Sequence, residues 1–279
     1  GKKEPDANAD ALIWHADVRR MLLTQKAIAE GGRAMIYAAA QTADLMVDAA
    51  RRQDRATQDK HDDTLGFYTP ILKGFLTEMG LEAANLGMQV FGGHGYIHEH
   101  GMEQIARDAR IATLYEGTTG IQALDLLGRK VLLGTRGKCV RDFSRIMLRS
   151  AKAHWLAHGP IGRMARSTAK RAIEWNLLTL RIMRRVGKDR DLVGSASVDY
   201  LMYSGYVMMA HFWARQAAVA QTFLRNGKGA ESAEFYRAKI QTAEFYFDRL
   251  LPRADAHRKS ALAPTRSLMQ MGNGDFAFS

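Results

Sequence analysis

The placement of proline is the feature that most limits how this chain can fold. Its five prolines are Pro5, Pro70, Pro160, Pro252 and Pro264. Proline lacks a backbone N–H and clashes with the preceding helical turn, so the long proline-free segments 71–159 and 161–251 can form extended helices. Apolar residues recur there at intervals of three and four, and no alternating strand pattern stands out. The sequence predicts an all-α fold, an antiparallel four-helix-type bundle followed by a second helical bundle.

Helix boundaries follow from the apolar spacing and from residues that start or end helices. The expected spans are about 18–51, 69–91, 120 onwards, 138–157, 163–187, 196–225 and 230–257. Pro70 is expected in the first turn of the second helix, where proline is well tolerated. Ser195 or Ser197 is expected to cap the helix that Asn226-Gly227 ends.

Charge divides the chain into two parts that meet near residues 134–138. Residues 1–133 contain 15 Lys/Arg and 18 Asp/Glu, whereas residues 134–279 contain 25 and 11, and the whole chain carries a net charge of +11. We therefore expect two domains, 1–133 and 134–279. A basic domain can attract nucleic acid, a membrane surface or a phosphorylated ligand, although a solvated face without a dedicated partner is commoner.

Two classes of protein are disfavoured by composition. The longest stretch without Asp, Glu, Lys or Arg is residues 83–98, shorter than the roughly 20 apolar residues of a membrane-spanning helix. Cys139 is the lone cysteine, so no internal disulfide can form, and a reducing compartment is favoured.

The start, Gly1-Lys2-Lys3-Glu4, has neither a signal-peptide core nor an initiator Met, and we expect the chain to be part of something longer.

Three glycines in four positions interrupt a helical pattern in Gln89-Val90-Phe91-Gly92-Gly93-His94-Gly95-Tyr96. Glycine allows positive φ and lets a ligand approach the backbone, whose N–H groups can bind phosphate oxygens. A tight turn that ends the helix is the alternative. The neighbouring His94, His98 and His100 fit no zinc spacing, so no metal site is expected.

A second candidate segment is Tyr115-Glu116-Gly117-Thr118-Thr119-Gly120. Glu116 is the only carboxylate between Asp108 and Asp125, and its sequence neighbours are apolar. A carboxylate in apolar surroundings has a raised pKa and becomes a better proton acceptor near neutral pH. The glycines, hydroxyls and start of the next helix favour a polar ligand group. Stabilisation of that helix start by the charge of Glu116 is the alternative.

The order and spacing of these motifs resemble a known family. Gln-x-x-Gly-Gly-x-Gly-Tyr at 89–96, Arg-Asp-Ala-Arg at 107–110 and Tyr-Glu-Gly-Thr at 115–118 resemble the C-terminal helical domain of flavin-dependent acyl-CoA dehydrogenases. The resemblance covers about residues 12–133. Residues 134–279 resemble the extra helical region of a longer subgroup of that family.

The resemblance implies roles for the second segment. Glu116 matches the catalytic base, which removes the α-proton of an acyl-CoA thioester while FAD accepts the β-hydride, giving a trans-2-enoyl-CoA. Tyr115 and Gly117 match residues that contact the acyl thioester. Positions that contact the flavin are matched by Thr118, Thr119 and Gly120.

It also implies a cofactor site shared between subunits. In the family, one segment contacts the ADP part of an FAD molecule that is bound mainly by a neighbouring subunit. The residues that match this segment are Gln89, Val90, Phe91, Gly92 and Gly93. A homodimer or homotetramer, an electron-transfer flavoprotein as acceptor, and a cytoplasmic (bacterial) or mitochondrial-matrix location are expected from the family. Its N-terminal helical domain and central β-barrel have no counterpart here, so the chain is expected to be the C-terminal part of such an enzyme.

Two other functions stay open from the residues alone. The chain could be a non-catalytic helical interaction module that keeps only the bundle. It could also bind nucleic acid through Arg181, Arg184, Arg185, Lys188 and Arg190, although no interleaved aromatics or recognition motif supports this. The Met- and aromatic-rich stretch 200–213 is expected in the core, with His211 as a hydrogen-bonded core histidine.

Overall fold

The computed structural model describes residues 3–4, 8–227 and 229–277. All regular elements in these residues are helical, which confirms the all-α prediction. The α-helices are α1 (Ala16–Arg51), α2 (Arg55–Val90), α3 (Met102–Ile111), α4 (Thr119–Leu124), α5 (Lys138–Ala153), α6 (Gly159–Val186), α7 (Leu192–Asn226), α8 (Ala233–Phe245), α9 (Arg253–Ser260) and α10 (Arg266–Met269). Wider π-helical turns extend α4 and α8 over Asp125–Gly134 and Tyr246–Leu250. Short 3-10 turns cover Leu12–Trp14, Gly92–Gly95, His98–His100 and Asn273–Phe276.

Two long antiparallel helices, α1 and α2, form the frame of the N-terminal part. A short turn joins them, and the side chain of Asp54 caps α2 by accepting a hydrogen bond from the Thr57 N–H at 3.1 Å. The sequence-based start of this helix at residue 69 is wrong, because α2 begins at Arg55 and contains Pro70 within it. Phe67, Tyr68 and Ile71 around this proline are buried, and their packing outweighs the one backbone hydrogen bond that proline removes.

The helix α7 lies at the centre of the molecule. Every residue from 200 to 213 is buried, which confirms the core assignment of this stretch. Phe75 of α2 packs edge-on against Tyr206 with ring centroids 4.9 Å apart, and Trp213 Nε1 donates to the Ala27 carbonyl of α1 at 3.1 Å. The C-terminal part thus completes the core of the N-terminal part.

Ion pairs hold α8 and α9 on the same frame. Lys239 Nζ lies 2.7 Å from Glu30 of α1, and Arg253 donates to both carboxylate oxygens of Glu82 on α2 at 2.8 Å. Hydrogen bonds from Lys239 and Lys26 lower the pKa of Glu30 despite its partial burial. The parts before and after residue 134 are therefore joined by charge as well as by apolar packing.

The ends of the C-terminal helices differ in part from expectation. Gly227 at φ 60° ends α7 as predicted, because glycine adopts this left-handed conformation without strain. The prediction that Ser195 or Ser197 caps α7 is wrong: the helix starts at Leu192, and both hydroxyls bond to carbonyls three residues back, at 3.1 Å each. In the part of the chain that the structure describes, every helix is too short or too polar to span a bilayer.

Candidate functional site

The turn between α3 and α4 holds Glu116 in an unusual backbone conformation. Glu116 has φ 56° and Gly117 has φ 88°, so two successive residues are left-handed. For a residue with a Cβ this conformation costs about 1–2 kcal/mol. Such strain persists only when the surrounding structure enforces it, and strained residues concentrate at functional sites.

The side chain of Gln122 enforces this turn. Its Nε2 donates to the Glu116 carbonyl at 3.1 Å. An ideal Cβ at position 117 would lie 2.8 Å from the same nitrogen. Position 117 therefore requires glycine both for its φ and for its contact with Gln122. Sequence reasoning missed Gln122, and a Gln in the first turn after the Tyr-Glu-Gly-Thr motif was its only signal.

The two threonines that start α4 are already engaged within the chain. Thr118 Oγ1 caps the helix by accepting from the Ile121 N–H at 3.4 Å. Thr119 Oγ1 donates to Glu78 Oε1 on α2 at 2.5 Å. At Gly120 the nearest atom to an ideal Cβ is Thr118 Oγ1 at 3.9 Å, so this position is sterically open. A ligand at the start of α4 would meet open backbone at Gly120 and two hydroxyls with existing partners.

Lys73 on α2 contacts residues just before Glu116 in the turn between α3 and α4. Lys73 Nζ donates to the Ala112 carbonyl at 2.8 Å and lies 5.8 Å from the centroid of the Tyr115 ring. Hydrogen bonding at the end of α3 and a cation–π contact with Tyr115 hold both sides of the strained turn. Lys73 and Glu78 lie about 40 residues before the motif, and nothing in the local sequence pattern points to them.

The surroundings of Glu116 are apolar but open to solvent. Five apolar or aromatic neighbours are each 43–57% exposed: Ile111, Leu114, Tyr115, Ile121 and Leu124. Glu116 itself is exposed, so the burial expected from its apolar sequence neighbours is not provided by the described residues. A cluster of exposed apolar side chains is typical of a surface that binds a ligand or another protein segment.

Of the three glycines after α2, two have a structural explanation and one has none. Gly95 is buried, and a Cβ there would lie 2.3 Å from the Met88 carbonyl oxygen. Gly92 has φ 60°, a conformation that favours glycine. Gly93 has neither a positive φ nor any atom within 4 Å of an ideal Cβ. A helix-ending turn thus accounts for Gly92 and Gly95 but leaves Gly93 unexplained.

One groove brings the two motif segments together. Gln89 from the first and Thr119 from the second line an open groove of about 720 Å³ between α2, α4 and α7. Its other walls include Glu78, Glu82, Val198 and Met202, whereas Tyr115, Glu116 and Gly117 lie outside it. Both carboxylates already have partners, because Glu82 is paired with Arg253 and Glu78 accepts a hydrogen bond from Thr119. Val90, Phe91, Gly92 and Gly93 lie at the end of α2, beyond the groove lining.

The histidines next to the glycine cluster make other contacts. His98 Nδ1 lies 3.1 Å from Glu103 Oε1, and the His94 and His100 rings pack edge-on with centroids 5.4 Å apart. Within the described residues, no three His, Cys, Asp or Glu side chains converge as metal ligands would.

Two family models together match nearly the whole chain. Residues 3–132 match "Acyl-CoA dehydrogenase, C-terminal domain", and residues 141–272 match "Acetyl-CoA dehydrogenase C-terminal like". The 3-methylmercaptopropionyl-CoA dehydrogenase of Ruegeria pomeroyi is 36% identical over 253 residues. That alignment covers 89% of this chain and 41% of the relative, so the chain spans about two fifths of the relative's length.

Solved structures share the fold at low sequence identity. An acyl-CoA dehydrogenase from Bacillus anthracis, complexed with FAD, superposes with a TM-score of 0.69 at 15% identity, covering 97% of this chain and 45% of that one. Caenorhabditis elegans ACDH-11, in complex with C11-CoA, gives a TM-score of 0.60 at 15% identity, covering 91% and 41%. Both matches extend across the two parts of the chain.

Proposed function

The chain belongs to the acyl-CoA dehydrogenase family, and from this premise we propose that it is the C-terminal part of an FAD-dependent acyl-CoA dehydrogenase with Glu116 as the catalytic base. The observation that carries the proposal is the strained turn at Glu116. The backbone of a carboxylate residue is held left-handed by Gln122, and its side chain is presented among exposed apolar neighbours. Gln53 and Arg136 also have a positive φ, so what distinguishes Glu116 is the combination of this backbone with an exposed carboxylate inside the family motif.

The carboxylate of Glu116 would take a proton from the carbon next to the thioester carbonyl. The electron pair of that C–H bond becomes the new carbon–carbon double bond, and the hydrogen on the β-carbon leaves with its electron pair. FAD, when bound, accepts that hydride. Tyr115 and Gly117 flank the base and are proposed to contact the acyl thioester, with Lys73 fixing the position of Tyr115.

Several residues fit contacts with FAD. Gly93 has open space and no structural reason to be glycine, as expected where a ligand or a second chain approaches the backbone. Gly120 and the start of α4 offer open backbone, with Thr118 and Thr119 beside it. We propose Gln89–Gly93 and Thr118–Gly120 as the cofactor-binding residues of this chain. The Bacillus anthracis relative, solved as a complex with FAD, supports FAD as the cofactor, and the assignment to these residues is our proposal.

The exposed apolar cluster around Glu116 supports action together with further protein. Removing water from a carboxylate and its substrate strengthens the proton transfer, and the described residues leave Glu116 in water. Because the chain spans about two fifths of the Ruegeria relative, we propose that additional family domains cover this cluster and complete the acyl-CoA and FAD sites. A homo-oligomer and an electron-transfer flavoprotein as acceptor belong to the same proposal.

A chimaera tests the base directly. In the Ruegeria pomeroyi relative, the matching C-terminal segment would be replaced by this chain, and flavin bleaching would be followed after addition of 3-methylmercaptopropionyl-CoA. The chimaera should bleach, whereas Glu116→Gln should retain FAD and bind substrate without bleaching, because an amide cannot accept the proton. Bleaching at an unchanged rate in Glu116→Gln would reject Glu116 as the base and favour a purely structural helical module.

A second variant of the chimaera tests the cofactor contact. Gly93→Val should leave folding unchanged, because nothing lies within 4 Å of the added Cβ, but should weaken FAD retention during dialysis. Gly80→Val, at another position with open space, is the matched control and should retain FAD. If Gly93→Val retains FAD fully, the glycine cluster is only a turn that ends α2 and does not contact the cofactor.

A further inference from the structure

The outward face of α6 has an unusual composition. Its charged members are all basic: Arg163, Arg166, Lys170, Arg181 and Arg184. Its apolar members are Ile173, Leu177 and Leu180, which are 53%, 48% and 41% exposed. These residues follow one another at intervals of three or four, apart from the adjacent Leu180 and Arg181, so they form a continuous stripe along the helix. We call these eight residues the α6 stripe.

The opposite side of α6 accounts for its packing without the stripe. Met164, Trp175, Leu178 and Ile182 are at most 1% exposed and anchor the helix in the core. The aliphatic residues of the stripe therefore contribute little to this core. Three exposed aliphatic side chains on successive turns, with cations on both sides, are unusual on a water-facing helix.

Nearby acids neutralise the N-terminal half of the stripe in part but leave its C-terminal turn unpaired. Glu174 is the only acid on α6, and it is partly buried, paired with Arg171 at 2.8 Å and 3.9 Å from Lys170 of the stripe. Among the described residues, Arg181 and Arg184 have no carboxylate within salt-bridge distance, although Arg163 has Glu244 at 3.0 Å. The C-terminal turn of the stripe therefore carries unpaired positive charge directly beside Leu177 and Leu180.

The loop before α6 extends the same face. Trp155 and Leu156 are 46% and 87% exposed, and Arg166 Nη1 fixes the loop by donating to the Trp155 carbonyl at 2.9 Å. Exposed tryptophan and leucine beside basic residues are typical of segments that enter the boundary between lipid headgroups and acyl chains.

We propose that the α6 stripe and Trp155-Leu156 dock this chain on an anionic lipid surface. Free cations select a surface of fixed negative charge, and long Arg and Lys side chains reach headgroups while aliphatic side chains lie deeper. Nucleic acid would satisfy the cations but offers no apolar layer for Ile173, Leu177 and Leu180. A second copy of the same face would be repelled by its equal charge. The proposal is independent of the function proposed for Glu116.

Vesicle sedimentation of the 279-residue chain tests this surface. The chain should pellet with phosphatidylcholine vesicles that contain phosphatidylglycerol, much less with phosphatidylcholine alone, and less as salt is added. Arg181→Glu with Arg184→Glu should reduce binding by at least tenfold. Arg19→Glu with Arg33→Glu, on exposed α1 positions, changes the net charge equally and should retain most of the binding.

A second pair of variants separates lipid contact from simple charge attraction. Leu177→Ser with Leu180→Ser should weaken binding severalfold at unchanged charge. The control, Leu45→Ser with Val47→Ser, alters α1 residues of similar exposure, 41% and 44%, and should leave binding intact. Circular dichroism should show that all four proteins fold. Should the glutamate pair fail to fold, Arg181→Gln with Arg184→Gln replaces it.

Several outcomes would overturn the proposal. No binding to anionic vesicles, or an equal loss of binding in the α1 charge control, would reject the α6 stripe as a lipid-docking face. Duplex DNA bound more tightly than the vesicles at the same salt, with no effect of Leu177→Ser and Leu180→Ser, would assign the cations to nucleic acid instead. Unchanged vesicle binding in those two serine substitutions would reject the contact with acyl chains.

Discussion

The centre of α7 and the turn that carries Glu116 differ most clearly in their relation to solvent. Every residue of 200–213 is buried, and none of them has a left-handed backbone. In contrast, Tyr115 and Glu116 are exposed, and Glu116 and Gly117 are left-handed. A helix of the basic C-terminal part therefore lies at the centre of the core, whereas the N-terminal part carries a strained turn that is exposed to solvent.

This difference separates two kinds of sequence constraint. Residues in α7 are selected for volume and for close packing; a Cβ on Gly205, for example, would lie 2.1 Å from the Phe75 ring. Residues in the turn are selected for a conformation that stability alone disfavours. Substitutions in α7 should therefore reduce stability strongly, and substitutions in the turn should have small effects on stability, in one case favourable.

The largest effect should come from removing a buried tryptophan of α7. Trp213→Ala should lower the free energy of unfolding by about 4 kcal/mol, because it leaves a cavity and removes the hydrogen bond to the Ala27 carbonyl. Trp155→Ala, at a half-exposed position, is the control and should change it by less than about 1 kcal/mol. Urea titrations of both variants would measure this. Equal effects would contradict the central role of α7.

Acid should lower the free energy of unfolding through His211, which is buried in α7. Burial lowers the pKa of His211 from 6.5 to about 4, so the folded state keeps the ring neutral where the unfolded state takes up a proton. The stability that this supplies is complete above pH 6.5 and is lost as the pH falls towards 4, by up to roughly 3 kcal/mol. His211→Leu should flatten the pH dependence of urea unfolding in this window. If the pH dependence of unfolding is the same in His211→Leu as in the unsubstituted chain, His211 is not its source.

Gly117→Ala, in the turn, should lower the free energy of unfolding moderately. The left-handed φ of 88° and the contact with Gln122 Nε2 both disfavour a methyl group, for a total of about 1–2 kcal/mol. Gly80→Ala is the matched control within α2, and it should raise stability by about 0.5–1 kcal/mol because nothing lies within 4 Å of the added methyl group. Thermal unfolding of the two variants should show shifts of opposite sign.

The smallest effect, and the sharpest contrast with α7, should be a gain in stability at the proposed base. Glu116→Asn should stabilise the chain by up to about 1 kcal/mol, because asparagine accepts left-handed backbone more readily than glutamate. The same substitution in the chimaera should abolish flavin reduction. A loss of stability in Glu116→Asn would show that the Glu116 side chain stabilises the fold, contrary to this expectation.

Sequence reasoning located both the helices and the candidate turn but missed what holds the turn in place. The spacing of apolar residues predicted α1 nearly to its ends, and it failed at Pro70 because burial of the flanking residues outweighed a local rule. The motif around Glu116 was visible as a run of neighbouring residues. Lys73 and Glu78 reach it only because α2 packs beside α3 and α4, a proximity that no local pattern encodes. His211 was placed correctly in the core, but its Nδ1 has no hydrogen-bond partner among the described residues, contrary to expectation.

The sequence by itself determined the all-α class and the family, because apolar periodicity and short motifs are local properties of the chain. Only the tertiary structure decided that α7 completes the core of the N-terminal part, because long-range packing depends on shape as well as on hydrophobicity. It also decided that Glu116 is exposed and strained. Burial and backbone conformation are set by the elements that surround a residue, and those elements come from distant parts of the chain.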